Sequence, residues 1–344
     1  MEYSDIIREN CEKHSPVSWW PRFAYHYTDV TNAVSILSSG YLYSRADASH
    51  LNLMRNDNAS RQVIDMTSSG VASKVRFYFR PLTPTQYYNE GYKHQALRYD
   101  HDENANVPVP IFLLFDLEKL LSLPGVHFSE TSQAGYGSPI HSGVEEFSKL
   151  NFDYIYDNSY GNFEATKNYR HAEIMHPNSM AIESCISRIL CRNNMERTTL
   201  LNLLKEENRV AFAKYQNIIK VYKEDTFENN GLFVSECSYH NNTVNVSFAD
   251  SYDAKRYVER MMERYHLDDL KPVKVTVWLK WYNSRSVCNQ GSIETAVDFR
   301  NPRNLTITGL PDVPLAKEIG IEVYFDDNLM CYVTQPLESS ELWK

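Results

Sequence analysis

Residues Phe23-Ala24-Tyr25-His26-Tyr27-Thr28-Asp29 run through Val30-Thr31-Asn32-Ala33-Val34-Ser35-Ile36-Leu37 to Ser38-Ser39-Gly40-Tyr41-Leu42-Tyr43. The aromatic run at 23–27 predicts a strand. Asp29 is a cap for the helix that follows, with Ala33, Ile36 and Leu37 on its buried side. Gly40 closes that helix, because glycine takes the left-handed C′ conformation without a Cβ penalty. Residues 41–43 read as the next strand. Strand side chains repeat every two residues, so His26 and Thr28 share a face, where they could contact a ribose or an amide. A hydrogen-bonded core histidine is the plainer reading of the same pattern.

Outward from this unit, residues 1–20 read as a short polar helix ending near Pro16. Residues 44–74 form a long polar loop, partly helical, of a length that is usually functional or disordered. Val75-Arg76-Phe77-Tyr78-Phe79 alternates as a strand does and stops at Arg80-Pro81, with Pro84 confirming the break. Residues 90–106 make a second polar loop, 109–115 a buried strand, 117–123 a helix and 135–137 a turn. Short strands are expected at 152–156 and 172–175. Residues 182–191 fit a strand or a helix, and 195–207 a helix. A second unit begins near Asn241, with strands at 244–248, 273–281, 296–299, 305–307, 321–325 and 329–334. Its helix, 252–265, carries Tyr257, Val258, Met261 and Met262 on one face, and Asp326-Asp327-Asn328 turns the last hairpin.

The chain has 344 residues, enough to bury a core without staples, and a net charge of -9 that gives no overall pull toward nucleic acid. Between Cys185 and Lys223, however, eight basic residues face three acidic ones, a stretch that could follow a phosphate backbone or be a solvated helix face. The 24 tyrosines suit a ligand surface, although plain packing is the commoner use. Six scattered cysteines without a CxxC or zinc spacing read as reduced thiols of a cytoplasmic protein. No apolar run is long enough to span a bilayer. There is no GxGxxG fingerprint, no GxxxxGK[ST] loop, no GxSxG elbow and no HExxH site. Tyr99-Asp100-His101-Asp102-Glu103 could hold a metal, but solvated loop acids explain it better, and no metal is expected.

Arg170-His171-Ala172-Glu173-Ile174 sets one carboxylate in apolar company. Cleaving a nicotinamide–ribose bond passes through a sugar with cationic character, and the leaving ring is already positive, so no general acid is needed. One carboxylate suffices, accepting from the ribose hydroxyl and opposing the charge. Glu173 is a candidate for that work, and an exposed glutamate on an edge strand is the alternative.

With these stretches in order, and with Asn58-Ala59-Ser60-Arg61 ending the first polar loop, the chain resembles the DarT-type nucleic-acid ADP-ribosyltransferases over roughly residues 22–240. The resemblance implies an α+β ADP-ribosyltransferase fold of split mixed β-sheets with helices. It divides the chain into a transferase domain, 1–240, and a C-terminal α+β extension, 241–344. It implies NAD as co-substrate, gripped by His26, Tyr27 and Thr28, with further contacts at Ser35 and Tyr43. Glu173 matches the catalytic glutamate. Arg61 matches the arginine that binds the dinucleotide and assists removal of the base proton, a role for which arginine is a poor acceptor. Arg55 competes for that place. The implied substrate is a base in single-stranded nucleic acid, DNA first and RNA second, because a target base must be unstacked to meet the sugar. The loops near 44–74 and 129–137 would frame the strand, with Tyr87, Tyr88 and Tyr136 as stacking candidates. A toxin role in toxin–antitoxin or phage-defence systems follows, with an antitoxin, and possibly a chaperone, as partner. The alternative is a catalytically inactive module that binds nucleic acid or a partner.

Overall fold

The computed structural model describes residues 2–53, 55, 69–134, 138–159, 161–222, 225–249, 251–284 and 286–337. Arg61 and Tyr136 lie outside the described residues, as does the expected turn at 135–137.

The first unit is built on a seven-stranded sheet. Its strands are β1 (Phe23–Asp29), β3 (Lys74–Tyr78), β4 (Pro110–Asp116), β5 (His127–Ser129), β6 (Glu173–Pro177), β8 (Ile186–Cys191) and β9 (Ile219–Val221), in the order β5-β6-β3-β1-β4-β8-β9. Neighbours are antiparallel except β8 and β9, which are parallel. A separate ribbon pairs β2 (Tyr41–Leu42) with β7 (Met180–Ala181). The opening motif folds as its residues dictate. Asp29 accepts from the Thr31 amide at 3.0 Å, starting the helix Val30–Ser39, and Gly40 ends it with φ of 73°. Ala33 and Leu37 are buried and Ile36 is half-buried.

Two strand expectations fail. Residues 152–156 are expected to be extended, but Phe152–Ile155 is a helical turn, because the Asn151 side chain caps it at the Tyr154 amide and sends Phe152 and Ile155 to one buried side. The strand expected at 296–299 is the end of a longer one, β13 (Val287–Val297), paired with its neighbour throughout. Its exposed Gln290, Ser292 and Glu294 hide the apolar alternation that marks a strand.

The second unit holds two sheets. β10 (Val234–His240), β11 (Thr243–Phe248) and β14 (Leu305–Ile307) form one, in the order β10-β11-β14. β12 (Val273–Tyr282), β13, β15 (Glu318–Phe325) and β16 (Asn328–Pro336) form the other, in the order β13-β12-β15-β16. The helix Tyr252–Arg264 buries Tyr257, Val258, Met261 and Met262, as expected. Asp326 and Asp327, with φ of 41° and 67°, make the final hairpin turn.

The polar loop at 90–106 is interior rather than solvated. Tyr92 and Leu97 join the second core, and Glu90, Lys93, His94, Arg98 and Asn106 are buried with partners. Glu90 accepts from Gln86 at 2.6 Å and from the amides of Glu228 and Asn229, each at 2.9 Å. Lys93 donates twice to Asn230 at 2.7 Å and lies 3.8 Å from the Tyr257 ring centroid. The basic stretch at 185–223 is likewise partly interior, since buried Arg192 pairs with Glu196 and reaches Glu90 at 3.4 Å. The helix Asn194–Glu207 ties the two units. Thr199 accepts from the Tyr332 amide at 3.0 Å, Asn202 donates to the Tyr332 carbonyl at 3.2 Å, and the Tyr332 hydroxyl bonds Glu206.

Candidate active site

The sheet is open at its centre. All seven residues of β1 pair with β4, but only Tyr25 pairs across to β3, opposite Tyr78. Beyond that pair β1 and β3 part, leaving a wedge between 26–29 and 74–77. His26 turns its ring into the gap, with Nδ1 3.2 Å from the Arg76 carbonyl. A carbonyl only accepts, so Nδ1 carries the proton. Burial lowers the His26 pKa, and the ring is neutral at pH 7. Nε2 therefore offers a lone pair.

Glu173 begins β6 directly opposite Tyr78 on β3. The turn before it is pinned, with Arg170 donating to the Ser159 carbonyl at 2.8 Å and the Phe79 amide donating to the Ala172 carbonyl at 3.3 Å. The Glu173 side chain is 1% exposed, whereas Arg76 beside it is 27% exposed. Arg76 forks onto the carboxylate, Nε to Oε2 at 2.7 Å and Nη2 to Oε1 at 2.6 Å. The Gln133 amide at 3.3 Å and the Ser132 hydroxyl at 3.5 Å complete the ring of donors. Burial alone would lower the Arg76 pKa, but the charge and hydrogen bonds of Glu173 raise it, so the guanidinium stays charged. His171, two residues before Glu173, is pushed down to about 4 by burial and is neutral. Burial, and then the charge of Glu173, raise the Tyr78 hydroxyl.

Sheet pleat alone would put Glu173 on the face of Tyr25 and Tyr78, and His26 on the reverse. Arg76 bridges the two, since His26 holds its carbonyl and Glu173 its guanidinium. Thr28 is buried on the His26 face. Tyr27 packs on Phe112 at 5.0 Å, and its buried hydroxyl has no partner. Its pKa is raised by burial and then by Glu90, with Arg192 opposing, so its ring lies on the Glu90–Arg192 side rather than with His26. Ser35 donates to the Thr31 carbonyl at 3.2 Å, within its own helix. Tyr43 is half-buried beside Tyr41, at 6.2 Å. Arg55 is a tether, its amide donating to Asn32 at 2.9 Å and its guanidinium to Glu207 at 2.8 Å. Among the described residues, no group of three or more His, Cys, Asp or Glu is placed to hold a metal, and no helix is long and apolar enough to cross a membrane.

The family model described as ssDNA thymidine ADP-ribosyltransferase, DarT, matches residues 25–222, more than half of the chain. The chain belongs to the DarT family. It is an NAD-dependent ADP-ribosyltransferase of α+β fold, and the family description favours DNA over RNA. Solved structures show a fainter likeness. DarT of Thermus sp. 2.9 in complex with NAD+ aligns at 16% identity and a TM-score of 0.46, covering 60% of this chain and 98% of its own. The same protein with ADP-ribosylated ssDNA aligns at 17% and 0.44, covering 60% and 97%. Thermosipho africanus DarTG with ADP-ribose aligns at 13% and 0.43, covering 59% and 50%. No curated protein matches the chain. Arg76, which holds the Glu173 carboxylate, is not among the residues to which the sequence motifs point. Its signal is a cation within the otherwise apolar and aromatic run Val75-Arg76-Phe77-Tyr78-Phe79.

Proposed function

We propose that this chain transfers ADP-ribose from NAD to thymidine in single-stranded DNA at the wedge between β1 and β3, with Glu173 as the catalytic carboxylate. The observation that carries the reading is the Arg76 bridge, which joins a neutral histidine bearing a free lone pair to a buried glutamate where β1 and β3 part. The residues suit a dinucleotide. His26 Nε2 accepts from a ribose hydroxyl, and the backbone at 27–28 offers polar contacts, while the Tyr27 side chain lies on the opposite face. Thr28, Ser35 and Tyr43 belong to the same grip by motif. In the reaction the bond between the nicotinamide nitrogen and the ribose breaks, and nicotinamide leaves with the electron pair. The base nitrogen bonds to the anomeric carbon and releases its proton to water. Glu173 holds the ribose hydroxyl and opposes the positive charge on the sugar. Arg61 takes the dinucleotide-binding role by motif, because Arg55 is committed to Asn32 and Glu207. Cell toxicity, a role in phage defence and neutralisation by an antitoxin, with or without a chaperone, belong to the same reading.

Incubation with labelled NAD tests it. Label is expected on single-stranded DNA containing thymidine, not on duplex DNA or RNA, and Glu173→Gln is expected to remove it while the chain stays folded, as circular dichroism reads. Label on RNA in preference to DNA, or on protein alone, refutes the substrate. Undiminished label from Glu173→Gln refutes the catalytic assignment and favours a different carboxylate.

A further inference from the structure

We propose that the helix Tyr252–Arg264 of the C-terminal extension carries a second part of the DNA-binding surface, a cation–aromatic platform that holds the nucleotides flanking the target base. This rests on the function proposed above. The path starts at the catalytic carboxylate. Glu173 pairs with Tyr78, and the Tyr78 side chain is hydrogen-bonded to Thr85, in the first turn of the helix Pro84–Asn89. Tyr87 and Tyr88 follow on that short helix, about 3 and about 4.5 Å further along its axis. Tyr88 meets Tyr99 at 4.1 Å with the rings tilted by 40°, and Tyr87 meets Tyr88 edge-on at 5.2 Å.

These rings do pack against the extension, as the plain reading of abundant tyrosine expects, yet they stay half-buried and are roofed by arginines. The Arg260 guanidinium lies 5.9 Å from the Tyr87 centroid and donates to its hydroxyl at 3.4 Å. Arg264 lies 4.9 Å over Tyr99 and 3.7 Å from Asp100. Arg256, Arg260 and Arg264 recur every four residues and are exposed, so they form one stripe on the helix. A strand of DNA fits this surface in both of its chemistries. Phosphates meet a row of guanidiniums in a chain whose total charge is -9, and bases stack on guanidinium planes already held over the rings. A partner with acidic side chains would use the charge of the arginines but not their stacking planes.

The test uses the full chain bearing Glu173→Gln, which binds without turnover, and fluorescent oligothymidylates of about 4 and about 16 nucleotides, the span of single-strand sites. The longer strand is expected to bind at least about fivefold tighter, the low end for one added stacked base. Arg260→Ala with Arg264→Ala is expected to erase most of that advantage. It should also reduce the salt slope by about 1.4, two phosphate contacts at about 0.7 each, and leave the short strand unaffected. Arg260→Glu alone should weaken the longer strand further than Arg260→Ala does. Both arginines are exposed, so the melting temperature should hold. Retention of the length advantage in the double variant overturns the platform, and so does an acidic peptide that competes as well as DNA. A wild-type chain that puts no label on DNA overturns the parent reading instead, and the length dependence of binding then still decides the platform on its own.

Discussion

Replacing Arg76 by methionine keeps much of its length and removes both bonds to Glu173. Glu173 is 1% exposed, so the carboxylate would be left buried with only the Gln133 amide at 3.3 Å and the Ser132 hydroxyl at 3.5 Å. Breaking one side of a buried ion pair costs about 3–5 kcal/mol. The two remaining donors and the partial exposure of Arg76 place this case at the low end, about 3 kcal/mol of unfolding free energy. The sign of a second change is sharper. Glu173→Gln on the Arg76→Met background removes the stranded charge, so the double variant is expected to be more stable than Arg76→Met alone, whereas Glu173→Gln in the wild type is expected to destabilise. Activity follows a different order. Arg76→Met is expected to lower kcat by about 10²–10³, the scale seen when one preorganised electrostatic group is lost, because Glu173 loses its fixed orientation. Arg76→Lys keeps the charge but not the fork, and is expected to fall between the two. Urea unfolding of the four corners of the cycle, with nicotinamide release at saturating NAD, gives both readings. Additive stabilities, or a kcat for Arg76→Met within about threefold of wild type, would refute the pairing as the device that holds Glu173 in place.

Two further outcomes follow from the junction of the units. Burial, and then Glu90, push Glu228 up to about 8 from its ordinary 4.5, with Lys93 and Arg80 opposing. Its folded pKa is raised, so its stabilising share is complete below pH 4.5 and is lost as pH rises to 8. Glu228→Gln should therefore match wild type near pH 4 and exceed it above pH 8, by on the order of 2–4 kcal/mol after allowing for coupling to Glu90 and Lys93, as read by urea titrations across pH. A constant difference across that range would refute the assignment. Gly231 has no room for a methyl group, since a Cβ there would stand 2.5 Å from the Glu90 carbonyl oxygen and 2.7 Å from the Gly91 Cα. Gly231→Ala should cost about 1–3 kcal/mol by forcing the two backbones apart, and an unchanged melting temperature would contradict that contact.

The sequence was most legible where a residue acts through its own backbone or its own periodicity. Asp29 and Gly40 bracket a helix by local chemistry, and the four apolar residues of the 252–264 helix announce their buried face by spacing alone. Glu173 and His26 could be named from residue type and motif. Arg76 could not, because a single cation in a strand reads as a solvent-facing side chain, and only the pairing of Tyr78 with Glu173 turns it onto the acid. The loop at 90–106 misled for a related reason. Its polar residues look soluble one at a time, yet Glu90 and Lys93 find fixed partners from residues 228–230, far along the chain. The 152–155 turn was missed because its one capping asparagine precedes an aromatic run that favours strand.

The opening of the sheet also changes what a histidine at position 26 means. An opened ladder removes bonds that β1 and β3 would otherwise exchange, and each unpaired group would be costly if buried. The Arg76 carbonyl escapes that cost because the His26 ring supplies the missing donor from within the gap. The bond uses Nδ1 and leaves Nε2 as an acceptor, so one side chain both closes the structure and suits the ligand contact proposed for it. The alternatives weighed from sequence, a core histidine and a ligand-binding one, are therefore compatible, because the hydrogen bond that makes His26 structural also sets the tautomer that lets it accept. Loss of activity in a His26→Ala chain would mix the two effects. The Arg76 and Glu173 variants isolate the charge without removing the donor that keeps the wedge satisfied.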